Sequence, residues 1–158
     1  MKKTSAFLIL IALFLFSCTG ADTVVKKKWQ AKDNTIAIVD LTPNTSGLMD
    51  AGPFLSTALE KSFNDTMFVI KTEKPKYHLK FKVIRYQEGS RWARMASMGI
   101  SDSARGELQV KAALFEGDEM VGAWEVNTWV KGGMTGGSKD ELFNKAAKEI
   151  IDHMKWGE

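Results

Sequence analysis

The sequence predicts an α+β fold: a two-layer sandwich, with a mostly antiparallel sheet of about five strands and two helices on one face. Three observations lead there. Three long segments alternate apolar and polar residues with a period of two. Two further segments repeat apolar residues every three or four positions, the period of an amphipathic helix. The order along the chain is strand, helix, four strands, helix, with no internal repeat. Alternating strands leave one sheet face wet or covered only by a partner, so both helices belong on the other.

The elements follow in order. Ile36-Ala37-Ile38-Val39 is a short apolar run that opens the folded domain and stops at the Pro43-Asn44 turn region. Phe54, Leu55, Ala58, Leu59, Ser62 and Phe63 share one helical stripe, with Pro53 near the first turn and Asn64 at the end. Met67-Phe68-Val69-Ile70 is a second short strand. In the next strand Tyr77, Leu79, Phe81 and Val83 point inward between His78, Lys80 and Lys82. Leu108, Val110, Ala112 and Leu114 alternate with Glu107, Gln109 and Lys111 in another. The last runs from Glu119 to about Lys131, with Trp124, Val126, Thr128 and Val130 on one side. Gly117-Asp118 joins these two as a tight hairpin. Ser138-Lys139-Asp140-Glu141 has capping-box spacing and opens a helix whose stripe is Leu142, Phe143, Ala146, Ala147, Ile150 and Met154.

Ahead of this domain lies an export signal. Lys2 and Lys3 precede an apolar run from Ala6 to Phe16, and Leu15-Phe16-Ser17-Cys18 ends it. The run has 11 residues, roughly half the ~30 Å hydrocarbon core at about 1.5 Å per residue, too short to span. The single cysteine after Ser17 makes the segment resemble a bacterial lipoprotein signal. That resemblance implies cleavage before Cys18, lipidation of Cys18 with two or three acyl chains such as palmitate, and a membrane-tied protein. Thr19 in place of Asp favours the outer membrane by the same resemblance. The expected division is residues 1–17 signal peptide, 18–34 lipidated cysteine and tether, and 35–158 one α+β domain. Removing 17 of 158 residues leaves 141, enough for one domain with a sizeable core. Lysine plus arginine falls from 22 to 20 against 19 acids, a net charge of +1 that gives no reason to expect nucleic acid as a partner. With Cys18 acylated there is no disulfide, thiolate zinc site or thiol nucleophile.

All four arginines, Arg85, Arg91, Arg94 and Arg105, lie in one stretch, against 18 lysines elsewhere. Arginine's planar fork grips carboxylates and phosphates bidentately. The Glu88–Arg105 connection is long, carries Trp92 between Arg91 and Arg94, and has the composition of an interface hot spot. Arg85, Arg91, Trp92, Arg94 and Arg105 are therefore the candidate binding residues. Glu88, Asp102 and Glu107 are the acids that could pair with them instead.

The run Glu88-Gly89-Ser90-Arg91-Trp92-Ala93-Arg94, then Gly99, then Ala104 to Val110, with Gly132-Gly133 and Gly136-Gly137 later, resembles an uncharacterised family of exported bacterial lipoproteins over about residues 35 to 152. The order of elements also looks like the amino-terminal domain of the periplasmic Tol propeller protein, and like lipoproteins of curli export and peptidoglycan-synthase activation. Those relatives bind proteins, so the resemblance implies an envelope protein as partner and no chemistry.

Catalytic patterns are weak. Gly132 to Lys139 inverts the Lys-Ser order of a phosphate loop and follows a hairpin strand, so no nucleotide is expected. Gly99-Ile100-Ser101-Asp102-Ser103 lacks the last glycine of a nucleophile elbow. The two histidines, His78 and His153, lie far apart, and no His/Asp/Glu cluster has metal spacing. The expectation is a non-enzymatic protein without a cofactor or catalytic residue. It is anchored in the outer membrane facing the periplasm and binds an envelope protein, or alternatively an anionic small or polymeric ligand through the Arg85–Arg105 loop.

Overall fold

A computed structural model describes residues 18–27, 34–89, 106–131 and 138–156. Its elements are β1 (Cys18–Lys27), β2 (Thr35–Asp40), α1 (Ala51–Phe63), β3 (Val69–Ile70), β4 (Tyr77–Gln87), β5 (Gly106–Glu116), β6 (Glu119–Lys131) and α2 (Lys139–Trp156). The strands form one sheet in the order β1-β6-β5-β4-β2-β3. Both helices pack against the sheet and against each other, giving the α+β sandwich.

Two features correct the expected sheet. It has six strands, and it is mixed: β2 runs parallel to both β4 and β3, while the other pairs are antiparallel. A parallel neighbour needs a crossover, and α1 supplies it between β2 and β4. The sixth strand, β1, takes the place of most of the expected tether, pairing antiparallel with β6 from Cys18↔Lys131 onward. Its inward positions are Ala21, Thr23 and Val25, too small and polar to show a period, yet β6 is long and its outer edge would otherwise lie open. The expected Met67–Ile70 strand shortens to Val69–Ile70, because Phe68 turns into the core against Phe63 at a ring distance of 5.9 Å.

The core lies between sheet and helices. Tyr77, Leu79, Phe81 and Val83 of β4, Leu108, Val110, Ala112 and Leu114 of β5, and Trp124, Val126 and Val130 of β6 are all buried. Leu55, Ala58, Leu59 and Phe63 of α1 meet them, as do Leu142, Phe143, Ala146, Ala147, Ile150, Ile151 and Met154 of α2. Ser138 Oγ accepts the Glu141 N–H at 3.2 Å, the cap that starts α2. Gly117 turns the β5–β6 hairpin with φ +60, where a side chain would be strained. Thr128 is the one fully buried polar side chain among the described residues, and its hydroxyl lies 3.4 Å from the Leu142 carbonyl at the start of α2.

A bulge in β4 positions part of the candidate site. Pairing with β5 slips between Val83 and Arg85, so the alternation changes phase at Ile84. Without the slip Arg85 would point inward. With it, Arg85 faces outward opposite Gln109, and Tyr86 turns in against Phe143 at a ring distance of 5.2 Å. The Tyr86 hydroxyl is buried with no well-formed hydrogen bond, although the Glu88 carboxylate lies nearby. Burial first, then the Glu88 and Asp50 charges, push its pKa up from 10.0 to about 12. The neutral phenol is thus favoured by folding, so this contribution is complete below pH 10 and is lost as pH rises toward 12. Tyr86→Phe should therefore lose less stability than wild type as pH rises, read as ΔG of unfolding against pH from 9 to about 12. Equal alkaline losses in both proteins would contradict this account of Tyr86.

Candidate functional site

The sheet face opposite the helices carries no described element, and its side chains fall in register across β4, β5, β6 and β1. One row is Gln87, Glu107, Trp129 and Gly20. The next is Arg85, Gln109, Asn127 and Asp22. A third is Lys82, Lys111, Glu125 and Val24, and a fourth begins Lys80, Ala113, Ala123. His78 and Phe115 pair at the far end.

The face thus has two halves. The half nearer Cys18 is polar and of mixed charge. Arg85 is largely exposed there and lies 3.9 Å from Glu107, a loose surface pair of the kind that adds about 0–1 kcal/mol. The Trp129 indole packs against Gly20, where a Cβ would overlap the ring, so the glycine makes room for the tryptophan on the open face. Of the sequence-predicted site, only Arg85 can be placed in this way. Arg91, Trp92, Arg94 and Arg105 lie outside the described residues, and of Cys18 the backbone alone is described, as the first residue of β1.

The far half is a lysine-rimmed depression of about 470 Å³. Its floor holds Ala113, Ala123 and Phe115; Lys26, Lys80, Lys82 and Lys111 line it together with one carboxylate, Glu125. Two small alanines facing each other across β5 and β6 create the hollow. Glu125 is engaged sideways: it accepts from Gln109 Nε2 at 3.0 Å and lies 3.8 Å from Lys26 Nζ. Lys80 Nζ caps the Phe115 ring at 4.2 Å. Lys82 and Lys111 stand directly opposite each other, and neither meets a carboxylate among the described residues. Like charges so placed destabilise a sheet. In the sequence Lys80, Lys82 and Lys111 stand only on the wet sides of their strands. The signal that could have found them is their shared phase, Lys80 and Lys82 on one strand and Lys111 on its hairpin-paired neighbour.

Among the described residues no three His, Cys, Asp or Glu side chains converge as a metal site would require. His153 lies 4.0 Å from Glu149 one helical turn away, and His78 is half-buried on the open face. No helix among the described residues is long and apolar enough to cross a membrane.

No protein-family model matches the sequence, and neither does any curated protein. One solved structure shares the fold, and two others align more loosely. A dodecamer of a substituted PelC from Paraburkholderia phytofirmans aligns with a TM-score of 0.58 at 12% identity, covering 86% of this chain and 98% of that one. A second PelC dodecamer from the same organism aligns over the same shares at 0.49 and 12% identity. The Xanthomonas campestris protein XCC0632, of the uncharacterised family DUF330, aligns at 0.47 and 12% identity over 79% of this chain and 82% of that one. At such identity the likeness is one of fold alone.

Proposed function

We propose that this chain is a non-enzymatic lipoprotein, held by acyl chains on Cys18 in the outer membrane and facing the periplasm. Its role is to bind a protein partner of the cell envelope, as an assembly or accessory factor. The observation that carries the reading is the sheet face that no described element covers, with Trp129 and Arg85 on its anchor-proximal half. An aromatic and an arginine on a flat polar surface match the composition of interface hot spots. The bulge that turns Arg85 outward is a device that re-aims a side chain. PelC, which shares the fold, assembles as a dodecamer, so the fold accommodates extensive protein contacts.

Site-specific photocrosslinking tests the proposal. A benzoyl-phenylalanine at Asn127, on the open face, should capture one envelope protein in intact cells. The same probe at Lys145, on α2, should not. Adding Arg91→Ala/Arg94→Ala should reduce the Asn127 yield at least several-fold if the 88–105 loop shares the contact. Equal capture from both faces, or none from Asn127, refutes binding through the sheet.

A further inference from the structure

We infer that the far half of the open face is a docking groove for an acidic, extended peptide segment of the partner, which enters by its carboxylates. This rests on the protein-binding reading above and adds the partner's chemistry and a second contact region.

The charge comes first. Four lysines line one hollow and its single carboxylate is held to the side by Gln109 and Lys26. Lys82 and Lys111 sit on directly opposed residues, so their Cβ atoms are about 4.5–5.5 Å apart. Glu125 stands opposite Lys111 on β6 and offsets part of this repulsion, which leaves Lys82 as the cation an incoming anion would neutralise most directly.

The choice of anion follows from the lining. A phosphate site characteristically offers arginine forks or free backbone N–H groups. Among the described residues this hollow has no arginine, and its floor is sheet whose backbone is already paired with neighbouring strands. A sugar polymer would call for planar polar side chains around its hydroxyls and a bare aromatic face. The uncommitted polar groups that the described residues bring to the lining are ammoniums, and Lys80 already covers Phe115. A bilayer fits poorly too. Eight residues of β1 separate Cys18 from Lys26, roughly 26 Å at about 3.3 Å per residue, and Asp22 and Glu107 lie between on the same face. A membrane reaching the lysines from the anchor would have to cover those carboxylates. Alternating carboxylate and small apolar side chains remain: the acids reach the lysine rim, and the apolar residues settle on Ala113 and Ala123.

The test uses the full chain in neutral detergent and a labelled peptide, acetyl-(Glu-Leu-Glu-Ala) repeated twice, with its glutamine counterpart. The glutamate peptide should bind at least ten-fold more tightly, and its affinity should fall steadily with salt as the screening length shrinks from about 10 Å at 0.1 M toward 3 Å at 1 M. Lys82→Glu/Lys111→Glu should abolish that binding and transfer it to a lysine-for-glutamate peptide. Lys82→Gln/Lys111→Gln should lose at least ten-fold in affinity with a melting temperature equal to or above wild type, because a repulsion has been removed. Equal binding of the two peptides, an unaffected charge-reversed groove, or a lowered melting temperature in the glutamine variant overturns the inference. So does lysine-dependent binding of phosphatidylglycerol vesicles or of a polyuronate that exceeds peptide binding. If Asn127 crosslinks a partner whose capture ignores Lys82 and Lys111, only the groove assignment fails. If no partner is captured at all, the underlying reading fails.

Discussion

Phe143→Ala should destabilise the domain by about 3–5 kcal/mol, the range for removing a buried aromatic ring. Phe143 is 2% exposed and sits where three elements meet. Its ring lies 5.7 Å from Phe54 of α1 and 5.2 Å from Tyr86 of β4. Removing it therefore empties the junction between the helical layer and the sheet, and neither neighbour can close the gap without giving up its own packing. A domain of this size has a total stability of about 5–15 kcal/mol, so the variant should keep only a fraction of it. Urea unfolding should show the midpoint falling with little change in slope. Phe143→Leu should recover a good part of the loss by refilling volume. A loss below about 1 kcal/mol for the alanine variant would mean that α2 does not pack as described.

Cys18→Ala should release the protein from membranes or leave it as an unprocessed precursor. The physical argument is arithmetic of burial. An acyl chain contributes about 0.8 kcal/mol per buried CH2, and two or more are needed for stable anchoring. No helix among the described residues can substitute by spanning. The alanine variant keeps the fold, since Cys18 is the terminal residue of an edge strand. Fractionation with intact-mass measurement decides the matter. Wild type should carry the mass of its lipid, and the variant should appear in the soluble fraction or retain its leader. A variant that is still cleaved and still sediments with membranes would sink lipid anchoring through Cys18.

Much of the fold was legible because it is written in short-range periods. The inward residues of β4, β5 and β6 and the stripes of both helices were read residue by residue, since alternation and the three-to-four repeat directly record which side faces the core. The hairpin at Gly117-Asp118 and the cap at Ser138 were legible for a similar reason: both are local hydrogen-bond and dihedral requirements. β1 was not legible, because its inward Ala21, Thr23 and Val25 make no hydrophobic contrast with their neighbours. The direction of β2 was not legible either. Ile36 to Val39 would read the same in a parallel or an antiparallel pair, and only the path of α1 decides.

The candidate site divides along the same line. The concentration of arginine between Arg85 and Arg105 was visible in the sequence alone, and Arg85 is placed on the open face. The bulge that puts it there comes from pairing with β5, and no property of Ile84 announces it. The lysine groove lay outside the sequence reading altogether. By itself the sequence determined which residues seek the core and where the chain turns, and it raised the expectation of an export signal over residues 1–17, because each of these is a property of neighbours in the chain. The tertiary structure decided which edges pair, which phase a strand keeps after a bulge, and that Lys26, Lys80, Lys82 and Lys111 share one hollow, because register between strands is set by the packing of residues far apart in sequence.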